Sequence, residues 1–178
     1  MDRRTAIQSV VMGTVAVATL APEAKAAGKD VEAFSTHWES AKAFTLKVVD
    51  AMPADGYTFK PQPDMRSFGE LMQHLAMVNV YYIGRLRVGE TPELLKPPAK
   101  TDKETIKQYM TACFDYCADV LKGLNDEALD KSYPGRPNTP PLNGWELVLN
   151  GFIHTAHHRG YADVYLRMKN IEPPTYAV

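Results

Sequence analysis

Apolar residues recur at spacings of three and four in four separate stretches, the period of an α-helix with one face turned inward. The first stretch, about 31–51, carries Phe34, Trp38, Ala41, Thr45, Val48, Val49 and Met52 along one side, and Pro53 and Gly56 close it. FKPQPDMR (59–66) then forbids helix, because the residue before each proline is pushed toward extended geometry. The second stretch opens on SFGE, with Ser67 as N-cap and Glu70 three residues on as a capping box. It sets Phe68, Leu71, Leu75, Val78 and Tyr82 on one face and runs to about Gly89. TDKE (101–104) reads as a second capping box, from Thr101 to Glu104, and opens the third helix. Ile106, Met110, Cys113, Cys117, Val120, Leu121 and Leu124 keep the period there. NGWE (143–146), with Asn143 as the cap, opens the fourth, which continues to about Lys169.

No stretch alternates with period two for long enough to make a strand. The connections are unequal, and the longest contains SYPGRPNTPPLN, rich in proline and glycine. Loops of that length cross over a bundle end or cover a site. The pattern therefore predicts an all-α protein, a four-helix bundle with long crossover loops.

The first 26 residues form a separate unit: a basic start (MDRR), an apolar stretch of small residues (SVVMGTVAVATLA) and an AKA cleavage sequence. This is the composition of a cleavable signal peptide, with an apolar core too short for a stable membrane span. Adjacent Arg3 and Arg4 suggest the twin-arginine route, although Ala6 stands where a large apolar residue is usual. Residues 27–178 are then one exported domain, expected in the periplasm, with no stable membrane span in its mature form. A net charge of −1 over 178 residues, with no Lys/Arg-rich run in the mature part, argues against nucleic acid as a partner. Cys113 and Cys117, four apart on one helix, are poorly placed for a disulfide and read as small buried residues.

Chemistry concentrates in HTAHHRGY (154–161), three histidines within five positions of an otherwise apolar helix. At about 100° per residue, His158 falls about 40° from His154 on one side and His157 about 60° away on the other. His154 and His158 are thus stacked neighbours able to reach one ion, whereas His157 groups with Ile153, Gly160 and Val164. Tyr161 and Tyr165 fall within about 20° of the paired line, as pocket residues or as packing. Two imidazoles make a weak site. The third comes most naturally from His74, on the inward side of the second helix, with His37 at a solvent edge as the other candidate. Glu70, one turn before His74, is both a cap and the one carboxylate near that line, and Tyr81 and Arg85 also lie within reach of it. A surface histidine pair and a hydrogen-bonded core histidine remain the alternative explanation of these positions.

FKPQPDMRSFGELMQHLAMVN (59–79) and HTAHHRGYADVYLRMKNIEPPTY (154–176) resemble the two signature regions of the DinB-like family, and the resemblance extends over the mature chain. It implies a four-helix bundle with a metal site of one histidine from helix two and an HxxxH pair from helix four. Carried onto this chain, the ligands are His74, His154 and His158. Many relatives read HHRGQ where this chain has HHRGY, so any role of that amide is lost at Tyr161. His157 opens the HHRG string without being a ligand in this pattern, leaving it a packing residue or a support for its neighbours.

Three neutral imidazoles leave the charge of a divalent ion uncancelled and coordination positions open, unlike the four-ligand closure of structural zinc. The donor set suits Zn²⁺ or Ni²⁺. An open site activates water or polarises a substrate atom. Some members of the family it resembles are thiol-dependent transferases or isomerases; export weakens that reading, because low-molecular-weight thiols are scarce outside the cytoplasm, and a metal-dependent hydrolase stands at least level with it. No residue stands out as the catalytic base, and the small-molecule substrate is not legible. A non-catalytic exported metal-binding protein in storage, sensing or stress tolerance is the alternative, and a structural bundle forming a homodimer through a helix face is a third. In either metal-binding reading, affinity is expected to fall as pH drops through the imidazole range.

Overall fold

The computed structural model describes residues 28–135 and 138–176, so the leader sequence expected over 1–26 lies outside the described residues. Four long helices carry the fold: α1 (Lys29–Ala51), α2 (Phe68–Ile83), α3 (Lys103–Lys122) and α5 (Gly144–Met168), with the single-turn helix α4 (Asp126–Asp130) between the last two. α2 packs against α3 and α5, and α1 packs against the same two. The order around the bundle is therefore α1, α3, α2, α5, with α1 facing α2 across it. The connections 52–67 and 123–143 each cross the bundle, and only 84–102 joins neighbours. The expected long crossovers follow from this arrangement.

Local chemistry explains where the helices begin. Ser67 accepts from the Glu70 backbone N–H while the Glu70 carboxylate accepts from the Ser67 N–H at 2.6 Å, and Asn143 and Glu146 repeat the exchange at the head of α5. Each such cap contributes about 1 kcal/mol. The third helix departs from expectation: Asp102, not Thr101, is its cap, accepting from the backbone N–H and the hydroxyl of Thr105. A carboxylate one residue later offers two acceptor oxygens to a helix start, where Thr101 would offer one. The second helix also ends earlier than its periodicity suggests. It stops at Ile83, tightens into a 3₁₀ turn over Gly84–Leu86 and reverses at Gly89, whose φ of 86° suits glycine. The long loop is not wholly irregular: β1 (Ser132–Tyr133) pairs antiparallel with β2 (Leu142–Asn143) and clips its two ends together.

Trp38 of α1 is fully buried, its ring 5.1 Å from Phe114 and 5.2 Å from Phe152, and its indole N–H donates to the Phe114 carbonyl at 3.0 Å. Cys113 and Cys117 are buried free thiols, and burial pushes the Cys113 thiol up to about 12, as expected of packing residues rather than nucleophiles. No helix among the described residues is long and apolar enough to cross a membrane.

Candidate metal centre

The contact between α2 and α5 brings together the three histidines that the sequence singles out. His74 arrives from the middle of α2, and His154 and His158 from successive turns of α5. One nitrogen from each ring lies within 4.8 Å of the other two. Ring centroids stand 4.4 Å apart for His154 and His158, 4.8 Å for His74 and His158 and 5.3 Å for His74 and His154. These three residues are close enough to hold a metal ion.

Their electrostatics suit ligation. Burial, joined by mutual repulsion and the nearby Arg66 guanidinium, lowers the His154 imidazole to about 3 and His158 to about 4. Burial lowers His74 too, with Arg66 again contributing. His154 and His158 are therefore neutral in the acid range where a free imidazole would be charged, and His74 is shifted in the same direction. The window in which protons compete for the site thus moves below the ordinary imidazole range. The Nε2 of His154 and the Nδ1 of His158 are buried without a hydrogen-bond partner. Stranded polar nitrogens of this kind carry a desolvation cost that a bound cation would offset. The donor set and its vacant lone pairs thus fit a divalent ion.

Asn79, which the sequence reading missed, organises one of the ligands. It is buried on α2, donates its amide N–H to the Thr155 hydroxyl at 2.8 Å and sets its oxygen 3.4 Å from Nδ1 of His154. Thr155 in turn donates to the Gly151 carbonyl. The amide oxygen accepts from Nδ1–H, so the Nε2 of His154 keeps its lone pair for a cation. A signal was available: Asn79 stands one turn after Leu75, in phase with the inward face of α2. A polar residue there needs a buried partner.

Glu70 is engaged as a helix cap beside His74. Its carboxylate is held by the Ser67 N–H and lies 3.4 Å from Lys60, and these contacts lower its pKa. Tyr165 is buried, its hydroxyl donates to the Arg66 carbonyl at 2.8 Å, and its ring meets Phe59 and Phe68; it ties the 59–66 segment to α5 while lining one cavity wall. Tyr81 and Arg85 turn toward each other, and the Arg85 guanidinium donates to the carbonyls of Tyr133 and Pro134 rather than approaching His74. His37 is exposed on α1 and lines a cleft on the other side of α5. His157 is exposed yet close to the triad, its ring 4.9 Å from both His158 and Tyr161. Tyr161 is likewise exposed, 6.2 Å from His158.

Two open cavities flank the histidines. One of about 390 Å³ has His74, Gln73, Lys60, Asp64, Arg66 and Glu70 in its wall, and the other, about 550 Å³, has His157, His158, Tyr161, Tyr165, Asp64 and Arg66. Arg66 borders both. It precedes the α2 cap in a segment without periodicity, so no pattern in the sequence pointed to it.

A helical bundle carrying an open cluster of three histidines between two of its helices defines the class. The chain belongs to the DinB superfamily, whose model matches residues 37–162. Among solved structures it is similar to a DinB-like protein of Bacillus cereus, at 18% identity and a TM-score of 0.71, covering 82% of this chain and 97% of that one. A DinB-like protein of Bacillus subtilis is similar at 20% identity and a TM-score of 0.65, covering 81% and 97%. No curated protein matches the chain.

Proposed function

We propose that this protein is an exported metalloprotein that holds one divalent ion, Zn²⁺ or Ni²⁺, on His74, His154 and His158 and uses it as a metal-dependent hydrolase of a small molecule. The observation that carries the reading is the convergence of three neutral imidazoles within 4.8 Å, two of them with stranded buried nitrogens. Bound there, the ion would supply Lewis-acid activation of water or of a substrate atom. The chain's own residues supply the rest. Asn79 orients His154, Arg66 presents positive charge to both flanking cavities, and Tyr161 and Tyr165 shape the larger one. His157, open to that cavity beside His158, is the group best placed to take up and return a proton, since Glu70 is engaged as a cap.

Thiol transfer is the second catalytic reading, supported by membership of the superfamily and disfavoured by the export expected from the N-terminal sequence. An exported storage, sensing or stress protein is the non-catalytic reading, supported by the engagement of Glu70, the carboxylate one turn from His74, as a helix cap. A homodimer would form on the exposed apolar stripe of α5, formed by Leu149, Val164 and Met168. The mature protein, loaded with Zn²⁺ or Ni²⁺, should hydrolyse members of a small ester and amide panel, and His157→Gln should slow turnover without releasing metal. Turnover that requires an added low-molecular-weight thiol would favour the transferase. Stoichiometric metal with neither activity would favour the binding protein.

A further inference from the structure

The side of α5 turned toward α1 carries a second cleft, and the metal centre uses none of it. At its middle lies Arg159, only 8% exposed. Its guanidinium is held between two aromatic rings, 4.5 Å from the centre of Phe44 and 5.5 Å from that of Tyr176. Those stacking contacts satisfy the faces of the group but not its N–H edge, and among the described residues no oxygen accepts from it. Asp163, one helical turn on, acts on Arg159 electrostatically without forming an ion pair, and its own Oδ1 is buried with no donor.

A guanidinium that meets the cavity without a protein acceptor and a carboxylate oxygen buried without a donor stand one turn apart, open to a ligand that bridges them. Both groups open onto a cavity of about 610 Å³, bordered by Arg159, Asp163, Phe44 and Tyr176, with Arg167 and Glu172 further along its wall. A further cavity of about 320 Å³ shares Arg159, Phe44 and Tyr176 and adds the apolar wall of Phe152, Ile153 and Ala156. The cleft thus offers a fork of donors, an acceptor one turn away and an apolar recess.

We propose that this cleft binds an apolar 2-amino or 2-hydroxy carboxylate, its carboxylate on Arg159, its amino or hydroxyl group donating to Asp163 and its side chain against Phe44 and Phe152. A planar guanidinium takes a carboxylate through two parallel hydrogen bonds, and stacking leaves that edge free and oriented. The neighbouring acceptor selects for a donor on the adjacent carbon. The aromatic recess selects against small polar acids.

Calorimetric titration of the full chain tests this with L-phenylalanine and L-3-phenyllactate as the two sources of the shared chemistry. 3-Phenylpropanoate lacks the donor and phenethylamine lacks the carboxylate. At least one of the first two should bind saturably at millimolar concentration or below, with 3-phenylpropanoate about tenfold weaker and phenethylamine silent. Arg159→Lys should weaken binding about tenfold by removing the fork while keeping the charge. Ala156→Phe, which fills the recess from an exposed position, should abolish it if the arginine variant folds poorly. His74→Ala should leave it intact, separating this cleft from the metal centre. The proposal is overturned if neither acid binds, if 3-phenylpropanoate binds as well as both, if binding survives both cleft variants, or if His74→Ala removes it.

Discussion

The two sides of α5 solve the same problem in opposite ways. Toward α2, the helix presents His154 and His158, which escape the cost of burial by staying neutral, and which keep lone pairs stranded. Toward α1, one residue further along, it presents Arg159, which cannot discharge and is instead stacked between aromatic rings. A single turn of helix therefore carries a neutral, electron-donating face and a cationic, hydrogen-bond-donating face. The comparison shows why the HHRG string is compact: at about 100° per residue, adjacent positions address different partners, and one motif equips two faces.

The largest expected effect breaks the first face outright. His74→Ala, His154→Ala and His158→Ala should each reduce bound divalent metal from about one per chain to near zero by elemental analysis, with far-UV circular dichroism unchanged. Arg159→Met should leave that metal content as it was, and a loss of metal there would erase the distinction between the faces. Next in size, Asn79→Ala should weaken metal affinity by about 10–100-fold in a chelator competition, because His154 loses the partner that orients it.

The third effect is set by pH. The triad histidines are depressed in the folded chain, to about 3 for His154 and about 4 for His158, whereas unfolded imidazoles take up protons near the ordinary value. The unfolded chain therefore binds more protons between those limits, and stability must fall as pH falls. Thermal melts of the metal-free protein should lose Tm steadily from about pH 6.5 toward pH 4 and be flat above about pH 7. A His158→Gln variant should show a shallower loss. Metal, in turn, should still be held at about pH 5, where ordinary imidazoles are protonated. The smallest effect is structural: Tyr165→Phe removes the hydrogen bond to Arg66 and should cost about 1 kcal/mol in urea unfolding.

Much of this was legible in the sequence because helices and their caps are local. The apolar period placed all four long helices, and SFGE and NGWE placed two starts to the residue. Ligand candidates were legible for the same reason, since spacing alone brings His154 and His158 onto one line and puts His74 on an inward face. What escaped depends on tertiary contact. Gly84 and the 3₁₀ turn after it end α2 although apolar residues continue beyond. Arg66 gains its place beside the histidines only when the proline-rich segment folds against Tyr165. Glu70 shows the reverse case, two compatible roles in sequence of which the hydrogen bond shows the cap.

The central claim, a divalent ion on three histidines of two facing helices, is tested most directly by anomalous diffraction from crystals soaked in Zn²⁺. One peak is expected between α2 and α5, within about 2.0–2.1 Å of a nitrogen from each of His74, His154 and His158. No peak there, or a peak on His37 or His157 with the triad unligated, would contradict it.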